Sequence, residues 1–120
     1  NAYTTRDFVV HLEVPEFTCL APNSGFPDFA ILTIDYVPDQ LLVELKSLKL
    51  YINRYRSRPI GHEETANAIL DDLVALLSPR WMRVVADFSV RGNIKTIVFA
   101  EHQAPDYRGL HPEYRRYLPL

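Results

Sequence analysis

The order in which hydrophobic periodicity changes along this chain limits its fold more than any other feature. Apolar side chains recur at every second position from Phe8 to Val14, which predicts a strand that ends at Pro15. The segment Glu16–Asp28 is rich in Pro, Asn, Ser and Gly and predicts a long connection. Phe29–Val37 is apolar and β-branched, so a second strand is expected there.

The middle of the chain has a helical period instead. Apolar residues three or four positions apart predict a first helix, beginning near Leu41, that presents one stripe of Leu41, Leu45, Leu48, Ile52 and Tyr55. A second helix is predicted from about His62 to Leu77, with a buried stripe of Ala66, Ile69, Leu70, Leu73, Leu76 and Leu77.

Strand character returns after the second helix. Trp81–Val90 and Ile94–Glu101 predict two strands around the turn residues 91–93, and the tail 103–120 is expected to be irregular. The chain is therefore predicted to be one domain, residues 1–120, of the α+β class, with a ββααββ antiparallel sheet and both helices on one face. The free edges of such a sheet favour assembly of several subunits into a closed barrel.

Charge and cysteine content exclude several classes of function. Lys and Arg number 13 and Asp and Glu number 15, a formal net charge of −2, so no overall field favours nucleic acid or an anionic membrane. A single cysteine excludes an internal disulfide, and no Cys/His cluster has zinc spacing, so no metal is expected. No apolar stretch approaches the roughly 18 residues of a spanning helix, which predicts a cytoplasmic protein without a membrane partner.

Five short blocks of the sequence belong together: Pro15–Pro22 (PEFTCLAP), Gly25–Ala30 (GFPDFA), Glu44–Tyr51 (ELKSLKLY), His62–Glu63 and Arg91–Gly92. In this order and spacing they resemble the QueF family in its short, one-module form. The family comprises nitrile reductases that act on 7-cyano-7-deazaguanine, and an archaeal QueF-like branch. The resemblance implies the tunnelling fold, assembled into pentameric barrels that stack in pairs as decamers.

The resemblance also implies a nucleophilic cysteine at the position that Ala21 holds here. Only a thiolate, and not a methyl group, can attack a nitrile carbon to form a thioimide. We therefore expect a chain that binds substrate without converting it, either because alanine replaces a catalytic cysteine or because the protein is a natural binder. Cys19 is expected to be a buried apolar residue. Asp28 corresponds to the family's proton-transfer aspartate, although an Asp after Pro27 is also common turn chemistry.

Glu63 and His62 correspond to the family's substrate-binding pair, and Val43, Glu44 and Leu45 to a stretch that contacts substrate through backbone groups at a subunit interface. A carboxylate can accept two parallel hydrogen bonds from a guanine-like edge. Without the resemblance, Glu63 is equally consistent with an acid favoured by the helix dipole, and His62 with a solvated residue of the first helical turn.

Lys46 and Lys49 lie on one polar helix face with Asn53, a spacing that is usually only a solvated surface. The resemblance implies that these lysines and the Arg91–Gly92 pair hold the phosphates of NADPH in the reductases, or tRNA phosphate in the archaeal branch. Further local positive charge is expected from Arg54, Arg56, Arg58, Arg80 and Arg83.

Three functions remain open from the sequence. The first expectation is an archaeosine-forming amidinotransferase, which needs no cofactor and adds ammonia to the thioimide of 7-cyano-7-deazaguanine in tRNA. An Arg-rich, Gln-poor composition and a short segment before the first strand favour it. The alternative is an NADPH-dependent reductase of queuosine biosynthesis that acts on the free base, which the intact ELKSLKLY block favours. The third is a non-catalytic deazapurine-binding protein. Folate- and pterin-handling enzymes share the fold but lack that block.

Overall fold

The computed structural model describes residues 1–109 as a four-stranded antiparallel sheet with two α-helices. The strands are β1 (Val10–Leu20), β2 (Pro27–Val37), β3 (Trp81–Phe88) and β4 (Ile97–Gln103), and the helices are α1 (Leu45–Asn53) and α2 (His62–Leu77). A short 3-10 helix, Arg54–Ser57, follows α1. The strands lie in the order β1-β2-β3-β4. The predicted α+β class and ββααββ order are confirmed.

The first strand is longer than predicted. β1 continues through Pro15, and Pro15 with Glu16 lies opposite the single residue Ile31, because the register moves from Val14–Leu32 to Phe17–Ala30. Proline is tolerated here because β1 is an edge strand of this sheet and the residue sits in the bulge. The prediction that Pro15 ends the strand, and that 16–28 is one long connection, is therefore wrong. Only residues 21–26 connect β1 to β2.

The bulge also changes which side chains face the helices. Before it, Val10, Leu12 and Val14 pack against the core, and after it the buried positions are Phe17 and Cys19. One inserted residue shifts the alternation of a strand by one position. The second half of β1 therefore turns its odd-numbered residues toward the helix side of the sheet.

Both helices pack on one face of the sheet, as predicted. Alternate residues of β2 and β3 pack against the helices and form the hydrophobic core with them. The core includes the strand residues Ala30, Leu32, Ile34, Tyr36, Met82, Val84 and Ala86, and the residues Leu48, Ile52, Tyr55, Ala66, Ile69, Leu70, Leu73 and Leu77 from the helical segments. The predicted start of α1 at Leu41 is wrong, because Glu44 caps the helix by accepting a hydrogen bond from the Ser47 amide (2.8 Å). Leu41 and Leu45 of the predicted α1 stripe are exposed, and so is Leu76, which was expected in the buried stripe of α2.

The other face of the sheet carries a buried ionic cluster. Asp35 is fully buried, and its carboxylate oxygens lie 2.6 Å from His11 Nδ1 and 3.3 Å from an Arg83 guanidinium nitrogen. His11 and Arg83 are the direct register partners of Asp35 on β1 and β3. The cluster therefore crosses three strands, and the opposite charges of Asp35 and Arg83, placed directly opposite each other, favour this register.

A tight turn lies between β3 and β4. The backbone amides of Arg91 and Ile94 each donate to the carbonyl of the other, at 3.0 and 2.9 Å. Gly92 and Asn93 between them both have positive φ, 56° and 65°, which is the conformation of a two-residue hairpin turn. The predicted turn is confirmed, but β3 ends at Phe88 and β4 begins only at Ile97 and extends to Gln103. Residues 110–120 of the predicted tail lie outside the described residues.

Candidate active site

The candidate site lies where the start of α2 meets the β1–β2 hairpin. Two backbone hydrogen bonds join Leu20 to the segment that precedes α2. The Leu20 amide donates to the Arg58 carbonyl at 3.1 Å, and the Leu20 carbonyl accepts from the Ile60 amide at 3.0 Å. This short parallel bridge fixes the chain just before Gly61, which caps α2. The first turn of α2 is thereby held beside the first residues of β2.

Asp28 is the centre of the site. Its side chain is only 5% exposed and lies between two basic groups from different elements. Oδ2 is 3.4 Å from His62 Nε2, at the start of α2, and Oδ1 is 3.2 Å from Arg91 Nε, in the β3–β4 turn. A buried carboxylate needs such partners. The structure therefore brings together three of the residues that the sequence singled out, from three distant segments.

His62 is fixed by stacking as well as by charge. Its ring lies 3.9 Å from the ring of Phe88, centroid to centroid, with an interplanar angle of 16°. Phe88 is buried at the end of β3 and holds the imidazole in one plane. The next residue, Glu63, is exposed in the first turn of α2, and within residues 1–109 its carboxylate makes no hydrogen bond or ion pair. A polar group of a ligand could therefore reach it.

Ala21 lies on the same side of the hairpin as Asp28. Cys19 is the direct register partner of Asp28, and Ala21 follows Cys19 by two positions. The Ala21 amide donates to the Phe26 carbonyl at 2.8 Å, so the ladder extends to this residue. Diagonal neighbours in such a pair are about 7 Å apart. A longer side chain at position 21 could therefore reach the region of Asp28, and Ala21 itself is only half-buried.

Cys19 is built as an unreactive thiol. It is fully buried, and burial raises its pKa to about 11; the negative charge of Asp28 adds to this effect and a hydrogen bond with Thr65 opposes it. The thiolate is the nucleophile, and this environment disfavours it. Cys19 is therefore no substitute for a cysteine at position 21, and it packs as the sequence predicted.

The second predicted substrate stretch does not reach this site within one chain. The Val43 amide donates to the hydroxyl of Tyr36 at 3.0 Å, and eight residues of β2, about 26 Å of strand, separate Tyr36 from Asp28. Val43 and Glu44 instead line an apolar groove of about 300 Å³ beside the end of α2, and Leu45 is exposed near the same end. The predicted substrate residues thus form two groups at opposite ends of the molecule.

The basic residues of α1 border a different groove. Lys49 and Asn53 line an open groove of about 380 Å³ against the β1 bulge, together with Arg56, and Lys46 is exposed one turn earlier. Arg91 and Gly92 lie instead at the β3–β4 turn. Of the other arginines expected to add positive charge, Arg80 is ion-paired with Asp7 and Asp39, and Arg83 with Asp35.

Sequence reasoning missed three residues of these two sites. Phe88, which stacks on His62, resembles any buried strand residue in the sequence. Thr65 is fully buried, contacts the Cys19 thiol and donates to the Gly61 carbonyl at 2.7 Å. Arg56 was noted for its charge alone, and only its position in the α1 groove suggests a ligand. Neither Phe88 nor Thr65 carries a sequence signal that would have identified it, and charge alone does not distinguish Arg56 from the other arginines.

The described part of the chain offers neither a metal site nor a membrane span. Across residues 1–109, no group of three or more His, Cys, Asp or Glu side chains is arranged to hold a metal ion. In the same part of the chain, every helix is too short or too polar to cross a bilayer.

This chain is similar to known proteins of one family. The model of the family described as QueF-like protein matches residues 27–107. The NADPH-dependent 7-cyano-7-deazaguanine reductase of Nitrosomonas eutropha is 53% identical over 94% of this chain and 79% of its own length. The protein of the same name from Thiobacillus denitrificans is 59% identical over 86% of this chain and 74% of its own.

A solved structure supports the same assignment. The archaeosine synthase QueF-Like, crystallised in the apo form, superimposes with a TM-score of 0.74 at 25% sequence identity, covering 80% of this chain and 94% of that one. The fold that the resemblance implied is confirmed. Since the family model spans most of the chain and the relatives exceed half identity, the chain belongs to the QueF family.

Proposed function

We propose that this chain binds 7-cyano-7-deazaguanine as a member of the NADPH-dependent reductases, and that Ala21 prevents it from reducing the nitrile. The observation that supports this most directly is the buried Asp28, held between His62 and Arg91 beside position 21. The chain that carries this cluster is 53–59% identical to proteins named for that reaction.

The base would be bound by the first turn of α2. The exposed Glu63 carboxylate can accept two parallel hydrogen bonds from the N–H groups of a guanine-like edge. The His62 ring, held flat against Phe88, supplies a donor beside Asp28. In this pose the nitrile is directed toward Ala21. The separation of Val43–Leu45 from Asp28 supports a site completed by a second copy of the chain, hence a homo-oligomer.

The proposed chemistry requires sulfur at position 21. In an Ala21→Cys variant the new thiolate would bond to the nitrile carbon, one π bond of C≡N would break, and the nitrogen would take a proton from Asp28, giving a thioimide. The methyl group of Ala21 has no lone pair for this step, so the chain would stop at binding. The loop geometry, with its 2.8 Å hydrogen bond to Phe26, leaves position 21 half-buried and two register positions from Asp28.

NADPH would supply the hydrides that convert a thioimide to an aminomethyl group. The candidates to hold its phosphates are Lys46, Lys49, Arg91 and Gly92. Lys46 and Lys49 are exposed and form no ion pair within residues 1–109, and Lys49 lies on an open groove with Arg56. These side chains therefore fit a phosphate-bearing ligand.

The amidinotransferase is the second candidate. The structural similarity to the archaeosine synthase QueF-Like favours it, and ammonia and tRNA would then replace NADPH and the free base. The comparisons favour the reductase, because identity to that synthase is 25% whereas identity to the reductases exceeds one half. Composition, which favoured the amidinotransferase, is a weaker indicator than identity across most of the chain.

The test compares the chain as it stands with Ala21→Cys and Ala21→Ser. We expect all three to bind free 7-cyano-7-deazaguanine, and only Ala21→Cys to develop thioimide absorbance and then oxidise NADPH. Serine is the control for size, and Cys19 is common to all three proteins. NADPH oxidation by the parent chain, or failure of all three to bind the base, would refute the proposal. The second candidate would be established if Ala21→Cys formed a thioimide with 7-cyano-7-deazaguanine in tRNA, and if ammonia but not NADPH consumed that thioimide.

A further inference from the structure

The two basic neighbours of Asp28 are held very differently. His62 is stacked on Phe88 at the start of a long helix, and its side chain is 22% exposed. Arg91 extends from the β3–β4 turn, and its side chain is 41% exposed. The turn backbone is held by two hydrogen bonds and has two left-handed residues. A change of partner by Arg91 would therefore involve its side chain and not the turn backbone.

Each element packed against Asp28 contributes one titratable or charged side chain. β1 contributes the neutral thiol of Cys19, α2 contributes His62, and the β3–β4 turn contributes Arg91. A guanidinium partner stabilises the carboxylate form of an aspartate. Any other anion that approaches Arg91 must therefore compete with the Asp28 carboxylate for its guanidinium group.

We propose that Arg91 is a positioning residue that exchanges partners: it pairs with Asp28 in the free protein and moves to a phosphate group of NADPH when that ligand binds. This inference rests on the proposed function, which makes Arg91 a phosphate ligand. Binding of the phosphate ligand thus leaves His62 as the basic partner of Asp28.

The exchange predicts a linkage between Asp28 and the phosphate ligand. If Asp28 competes for Arg91, then Asp28→Asn should tighten NADPH binding by about five-fold. Arg91→Ala should weaken binding, and the gain from Asp28→Asn should disappear in the double variant.

The experiment is calorimetric titration of NADPH into these variants. Asp87→Asn is the matched control, because Asp87 is an aspartate on the same hairpin that pairs with Lys95 instead of Arg91. It should leave NADPH affinity within about two-fold of the parent. Free 7-cyano-7-deazaguanine is titrated in parallel to report on the proposed function separately.

Each outcome decides the question. An unchanged NADPH affinity in Asp28→Asn, or a gain that persists without Arg91, would overturn the exchange while leaving the proposed function intact. Absence of NADPH binding in every variant, with the base still bound, would refute both the exchange and the cofactor assignment. A chain that binds neither ligand would refute the proposed function as a whole.

Discussion

Cys19 should resist thiol reagents in the folded chain. With a pKa of about 11, only about one molecule in 10,000 carries a Cys19 thiolate at pH 7, whereas a free cysteine of pKa ~8.5 has about one in 30. Ionisation alone therefore slows its modification roughly 300-fold, and complete burial slows it further. The assay is the rate of reaction with an aromatic disulfide at pH 7, in buffer and in denaturing urea.

A cysteine introduced at position 21 is the internal comparison. Ala21→Cys places a second thiol in the half-buried loop, and it should react at least about a hundred times faster than Cys19 in the same folded protein. Modification of the parent chain in buffer at the rate seen in urea would show that Cys19 is accessible and ionised. Cys19 could then serve as a nucleophile in place of a cysteine at position 21, contrary to the conclusion drawn from its burial.

Further predictions concern stability and binding. The Cys19 thiol stays protonated up to about pH 11 in the folded chain, whereas it loses its proton from about pH 9 in the unfolded chain. The free energy of unfolding should therefore fall by up to about 3 kcal/mol as the pH rises from 9 to 11. Urea unfolding across that range should show a shallower decline for Cys19→Ala, and equal slopes would contradict the assignment. Asp35→Ala removes the centre of a buried ionic cluster and should cost about 3–5 kcal/mol, against at most about 0.5 kcal/mol for the exposed Asp71→Ala; equal losses in urea unfolding would refute this. Phe88→Leu keeps an apolar core residue but removes the ring against which His62 stacks, so affinity for 7-cyano-7-deazaguanine should fall about ten-fold; an unchanged titration would show that the stack does not serve binding.

The sequence predicted elements best where periodicity and flanking residues agree. α2 has the predicted bounds, because its apolar stripe lies between Gly61 and the Ser78–Pro79 pair. β1 was predicted too short because Pro15 is a strong local signal for a strand end, and only pairing with β2 shows that the edge strand absorbs it in a bulge. The start of α1 was misplaced because a stripe of leucines continues beyond the Glu44 cap toward Leu41.

The site is a harder problem for sequence reasoning. Asp28, His62 and Arg91 were each identified by resemblance to a family, but no spacing along the chain indicates that they form one cluster. Their meeting depends on the Leu20 bridge and on the register of the hairpin, which are long-range contacts. Phe88 has no local signal at all. The roles of these residues remain predictions that the experiments above test.

The separation of Val43 from Asp28 predicts how chains altered near one residue would behave when mixed with chains altered near the other. In the proposed homo-oligomer, a ligand that contacts both Val43 and Asp28 would bridge two neighbouring copies, so each copy would contribute one of these regions to each of two ligands. Mixing chains altered only near Val43 with chains altered only near Asp28 would then restore intact bridges at a fraction of junctions. Either altered chain alone would have none, and dilution that separates the copies would abolish binding while leaving each chain folded.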